Sequence, residues 1–244
     1  MTQTPTAESA TAPAKSLPAR FAGILFAPRA TYADVAAQPR WLGIFLTVFL
    51  IMASATVALL STEIGRNAVV EQQIAQAESY GRHLTEVQIE QIEKFAPYSV
   101  YVAPVFQLLF LGAGGLLIGG LAFAVFNAML GGDATFKQVF AVVCHSGVIL
   151  AALSLFTTPL AYVRESLSSA TNLGVFLPFL DEGSFLARML GSIDLIFIWW
   201  MLSLAIGLGV LYRKRTGPIA VTILAVYAAI AVIIAAIRTA STGA

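Results

Sequence analysis

The sequence predicts an all-α integral membrane protein, a bundle of five transmembrane helices with short interfacial helices. Three observations carry that prediction. Of the 244 residues, 58% are hydrophobic and only 11% are charged, against roughly 25% charged in soluble domains. The mean hydropathy is +0.83. Long stretches lack Asp, Glu, Lys and Arg altogether. A spanning helix needs about 20 mostly apolar residues, because hydrocarbon solvates neither charges nor open backbone groups.

Residues 1–20 are rich in Thr, Ala, Ser and Pro, and they read as a disordered cytoplasmic tail. They lack the basic start and long apolar stretch of a secretory signal. Residues 21–40 read as a cytoplasmic interfacial element. Phe21–Ala27 is apolar but short, and Thr31 is positioned to cap a second short helix, Tyr32–Ala37, ended by Pro39.

The charge-free runs then place a five-span membrane domain over residues 41–237. They lie between Arg40 and Glu63 (22 positions), Lys94 and Asp133 (38), Lys137 and Arg164 (26), Asp194 and Arg213 (18) and Arg215 and Arg238 (22). The expected spans are Trp41–Ser61, Val102–Leu130, Gln138–Thr158, Met189–Tyr212 and Pro218–Ile237. The 38-residue run is taken as one long span, since two spans and a turn need about 40 residues or more and no turn cluster divides it. Trp41, Tyr98, Tyr101 and Tyr212 stand at span ends, where an interfacial aromatic belt is expected.

Between the first two spans, residues 62–97 form an acidic segment with six Glu against three basic residues. Helical spacing of Val70, Ile74, Ala77 and Leu84, then a Thr85–Gln88 capping pattern, predicts two amphipathic helices, the second running into span two. The segment reads either as a cap on the bundle or as a docking surface. Residues 238–244 are a short external tail.

By alternation, the N-terminal side holds eight Lys and Arg and the other side six, with nine acids. Arg213, Lys214 and Arg215 abut the membrane and act as a cytoplasmic anchor. The positive-inside rule places the N-terminus in the cytoplasm and the C-terminus outside.

Chemistry-bearing patterns are scarce. A net charge of +1 offers no field for nucleic acid. The single cysteine excludes a disulfide framework and a cysteine-rich metal site. No phosphate loop, HExxH, GxSxG or CxxC is present. Neighbouring Cys144 and His145 do not face each other on a helix. The expectation is a non-enzymatic protein without cofactor or metal. Its partners are the lipid bilayer and another integral membrane protein or a second copy of itself.

Three intramembrane features remain. Asp194, expected about six residues inside span four, needs a protein or water partner; it reads as a structural hydrogen-bonding residue or as part of a proton or ion relay. His145, in span three, reads as structural or as a ligand, and at a depth roughly 10 Å from Asp194 the two do not obviously pair. Gly115 with Gly119, and Gly120 with Ala124 and Ala128, form small-residue rows that let a helix approach closely, within the chain or from a partner. Trp199 and Trp200 lie deep in span four and need hydrogen-bond partners.

Five spans preceded by a short element resemble the Yip (Ypt-interacting protein) domain family. The resemblance is carried by residues Ile24–Pro28 and Tyr32–Pro39, by Gly131–Ala141 leading into span three, and by Ile193–Trp199 with Ala205–Leu208 in span four. Together they cover about residues 21–237. The chain departs from the pattern at Cys144-His145-Ser146, where bacterial relatives often carry Tyr-Ser. The resemblance implies a membrane-organising or trafficking-type protein of the inner membrane of a bacterium, with no catalytic residues. It supports a scaffold or accessory subunit working through helix–helix contacts. The alternative is a small transporter, channel or lipid-handling protein using Asp194 and His145.

Overall fold

The computed structural model describes residues 15–181 and 183–242. Most of the expected N-terminal tail, residues 1–14, lies outside them, as do residues 243–244. No strand occurs among the described residues; one isolated antiparallel bridge joins Asn172 and Asp194.

The chain opens with two ten-residue helices, α1 (Leu17–Phe26) and α2 (Pro28–Ala37). Proline stands in the first turn of each, where its missing N–H costs nothing. The first helix therefore starts inside the segment expected to be a tail. The second begins before Thr31, whose hydroxyl is no cap and donates instead to Ala27 O at 3.1 Å. Nor is this pair merely interfacial. Arg20, Ile24, Thr31, Tyr32 and Val35 are all buried in the protein.

Helix α3 (Leu42–Leu60) is the first span. It is followed by α4 (Glu63–Ser79), capped by the Thr62 hydroxyl, and α5 (Glu86–Phe95), which starts with the expected Thr85–Gln88 capping box. A 3-10 turn at Ala96–Tyr98 leads without a break into α6 (Ser99–Phe123), which ends in a π-helical turn, Ala124–Met129. The third span is two helices, α7 (Phe136–Ser146) and α8 (Val148–Val163), meeting at Gly147 against Val48 of α3. A loop leads to α9 (Phe185–Gly191), then α10 (Leu195–Leu211) and α11 (Thr216–Thr242).

Span four differs from the expectation of one helix over Met189–Tyr212. The chain leaves helical geometry at Ser192–Asp194. There its backbone pairs with the preceding loop: Leu195 N–H donates to Thr171 O at 3.0 Å, and Leu173 N–H to Ile193 O at 2.8 Å. Helix α10 has 17 residues, at the short end of the roughly 17–25 that cross a bilayer. Four other helical stretches are long and apolar enough to cross.

The core is centred on α7. Every residue from Val139 to Ile149 is buried, enclosed by α2, α3, α6 and α10. A helix apolar all round has no face to give to lipid when protein covers it on every side. Trp41 and Phe136 pack edge-on and stacked against Phe140 of α7, at 5.1 and 5.9 Å between centroids. By contrast α6 packs chiefly on α3 and α7 and leaves Leu109, Phe110, Leu117 and Leu121 exposed.

At the end of the bundle remote from α1 and α2, α4 closes on the C-terminal turns of α11. Gly81, at φ +70°, brings its α-carbon against Ser241 O, an approach and a conformation that only glycine takes easily. The Arg238 guanidinium lies 5.2 Å from the Tyr80 ring centroid, and Arg188 Nη1 donates to Thr242 Oγ1 at 2.6 Å.

Candidate functional site

The most polar interior of the bundle lies where the N-terminal helices enter it. Arg20, 2% exposed, pairs its Nη2 with Asp34 Oδ2 at 2.9 Å, and its Nη1 donates to Gln38 O at 3.4 Å. The pair staples α1 to α2. On the other face of α2, Tyr32 is fully buried, and its hydroxyl shares a 2.8 Å hydrogen bond with Ser203 of α10. Burial pushes the Tyr32 phenol upward, so it stays a neutral hydroxyl. The ring lies flat on Gly207: a β-carbon there would sit 2.8 Å from Tyr32 Cε1 and 2.5 Å from Val142 Cγ1. Gln138 of α7 completes the socket, donating to Ala36 O at 2.9 Å.

His145 is fully buried next to this region. Its Nδ1 donates to Ala141 O at 2.7 Å, one helical turn back. That bond fixes the neutral tautomer with the lone pair on Nε2, and Nε2 is buried without a hydrogen-bond partner among the described residues. Ser146 Oγ accepts from Trp200 Nε1 at 3.0 Å, which ties α7 to α10. Trp199 turns the other way and is 44% exposed. Cys144 lines a separate apolar cavity of about 170 Å³ among α3, α6, α7 and α10.

Asp194 lies at the opposite end of the bundle. It is the N-cap of α10 rather than a residue within a span. Its Oδ1 accepts from Ile196 N–H at 2.7 Å, and its carboxylate also accepts from Thr171 Oγ1 at 3.0 Å and from Ser169 Oγ. Its own N–H donates to the Tyr227 hydroxyl of α11 at 2.9 Å. An aspartate at N-cap is an ordinary helix start, and three donors reach this carboxylate. Asp194 and His145 share no hydrogen bond.

The small residues of α6 divide into two faces. Gly115 and Gly119 face inward: β-carbons there would sit 3.5–3.6 Å from the Phe140 ring, and for Gly119 from Phe136 as well. Gly120 faces open space, with nothing within 4 Å, and Ala124 and Ala128 are exposed beside it. Arg213, Lys214 and Arg215 are exposed in the turn from α10 to α11. Arg29 of α2 reaches that turn, donating to Thr216 Oγ1 at 3.4 Å.

Several residues of this interior escaped sequence reasoning. Arg20 and Asp34 count as surface charges until α1 and α2 are folded inward. Ser203 and Gly207 carry a small-xxx-small spacing that could have flagged them. Asn127, in the π turn of α6, accepts from the Tyr212 hydroxyl at 2.6 Å and donates to Ala134 O at 2.6 Å. Tyr212, expected in the aromatic belt, is thereby buried and stacked on Phe126 at 4.6 Å. Among the described residues, no three His, Cys, Asp or Glu side chains gather as a metal site would require.

The segments that carried the family resemblance meet in space: Tyr32 touches Gly207, and Ala36 meets Gln138. Compared with known families, residues 22–237 match the Yip1 domain. No curated protein and no solved structure matches the chain.

Proposed function

The chain belongs to the Yip1 domain family of multi-pass membrane proteins, and from that premise we propose that it is a non-enzymatic scaffold or accessory subunit of trafficking or membrane-organising type. One observation carries the reading: a β-carbon on Gly120 of α6 would meet no atom within 4 Å, and Ala124 and Ala128 in the π turn that follows are exposed, whereas the adjoining Gly115 and Gly119 are already used internally. Small residues let a second helix come close enough for dispersion and Cα–H···O contacts to hold it. The partner is another integral membrane protein or a second copy.

The rival relay through Asp194 and His145 is weakened by how each is held. Asp194 is engaged by a capping bond to Ile196 N–H and by the Thr171 hydroxyl, and His145 is enclosed. In the orientation we propose, α1, α2 and the Arg213–Arg215 turn face the cytoplasm of a bacterial cell, and the α4–α5 segment lies outside the inner membrane.

Purification of the tagged full chain from native membranes in mild detergent tests this. A stoichiometric membrane partner or a dimer is expected, lost in Gly120→Leu and Ala124→Leu variants that still elute as folded protein. Unchanged assembly in both variants would refute the placement of the contact. Recovery of a lone monomer would refute the scaffold reading itself.

A further inference from the structure

We propose that the chain binds one phospholipid in a cleft between α3 and the α8–α10 pair, with the headgroup at Arg164 and an acyl chain running inward past Leu153 and Leu150. A cavity of about 530 Å³ opens at the end of the bundle remote from the N-terminal helices. That volume lies within the roughly 300–1,000 Å³ of small-molecule sites. Its inner wall is apolar, formed by Met52, Leu150, Leu153, Ile196 and Phe197. Its mouth is polar, with Gln72 of α4, Thr157 and Thr158 of α8, and Arg164.

The second cavity, of about 170 Å³, lies deeper and is lined almost wholly by apolar groups, including Phe110, Ile118 and Trp200. Leu150 lines both. The two cavities therefore adjoin at Leu150. Along α8, Arg164 and Leu150 are 14 residues apart, or about 21 Å at ~1.5 Å per residue. Half of a ~30 Å hydrocarbon core is about 15 Å. The cleft is thus as deep as one leaflet, polar where a leaflet is polar and apolar where it is apolar.

The charges agree. Arg164 is held at the mouth by donation from Nη1 to Ser168 O at 3.3 Å. Among the described residues the acid that lines the cavity is Asp194, whose carboxylate is engaged by Ser169, Thr171 and the Ile196 N–H. A guanidinium beside hydroxyls suits a phosphate. A free anion would use the mouth and leave the apolar depth empty, so the depth favours a lipid. The proposal does not depend on whether α6 docks another helix.

The test is photolabelling of the full chain reconstituted in vesicles of phosphatidylcholine or phosphatidylglycerol, each with a diazirine on the acyl chain. Adducts at Leu150, Leu153 and Trp200 are expected several-fold above those at Val221 and Ile233 of α11, which are exposed on the outside of the bundle. Ser154→Phe, which fills the cleft, should remove the enrichment, and Arg164→Gln should erase any preference for phosphatidylglycerol. Inorganic phosphate should not displace the label. Equal labelling of cleft and outer face in the unmodified protein would overturn the proposal, whatever the variants do. So would displacement by inorganic phosphate without cleft adducts, which would indicate a free-anion site.

Discussion

The Tyr32 hydroxyl shares a 2.8 Å hydrogen bond with Ser203, 171 positions away, and the same ring lies on Gly207 one turn further along α10. A short N-terminal helix is thus locked to a late span by one polar contact and one close approach. The close approach is the less forgiving of the two. Gly207→Ala would place a methyl 2.5 Å from Val142 Cγ1, and overpacking of this kind costs about 1–3 kcal/mol. Tyr32→Phe keeps the ring and loses the hydrogen bond, at about 1 kcal/mol. Thermal unfolding in detergent should rank Gly207→Ala as more damaging than Tyr32→Phe, and Gly114→Ala, with nothing within 4 Å, as neutral. An equal effect of the two glycine changes would contradict the close approach.

Arg20 and Asp34 form a buried ion pair, with side chains 2% and 17% exposed. Removing one partner leaves the other charge uncompensated, which costs about 3–5 kcal/mol for a buried pair. Asp34→Ala should therefore destabilise strongly. Arg20→Met with Asp34→Leu should recover much of the loss, because no lone charge remains. A double variant as unstable as the sum of the singles would show that the pair does not act as a pair.

Asp194 is read as a cap, which makes a specific demand on its conservative variant. Asparagine serves as well as aspartate at N-cap, while alanine costs about 0.5–2 kcal/mol. Asp194→Asn should be close to wild type in stability and in assembly, and Asp194→Ala less stable. Loss of function in a folded Asp194→Asn protein would restore the relay reading.

The two glycine faces of α6 should separate in their readouts. Gly119→Leu must push into the Phe136 and Phe140 rings, so it should lower the unfolding temperature of the isolated chain. Gly120→Leu meets no atom of this chain within 4 Å and should leave that temperature unchanged. A drop of similar size in both would mean that α6 is rotated relative to the structure.

The sequence by itself determined the class of protein and the family. Charge-free runs longer than a helix needs to cross hydrocarbon allow few alternatives, because each open backbone group or bare charge in lipid is expensive. The capping box at Thr85 was legible for a similarly local reason. Helical geometry decides which neighbours face each other.

Only the tertiary structure decided where the polar residues go. Arg20 fell in the expected tail, and Tyr32 and Asp34 in the expected interfacial element, because lipid, water and protein are equally compatible with a ten-residue helix. Burial in the bundle requires Gly207 to open a seat for Tyr32, and that seat is on another helix. Asp194 read as intramembrane because hydropathy averages over a break that three non-helical residues create. Its cap depends on Ser169 and Thr171, more than twenty positions back. Gly115 and Gly120 carry the same local signal, and their roles part only because the Phe140 ring covers one and leaves the other open. Local periodicity specifies which residues share a helix face; what covers that face is set by contacts between distant segments, which one-dimensional spacing does not encode.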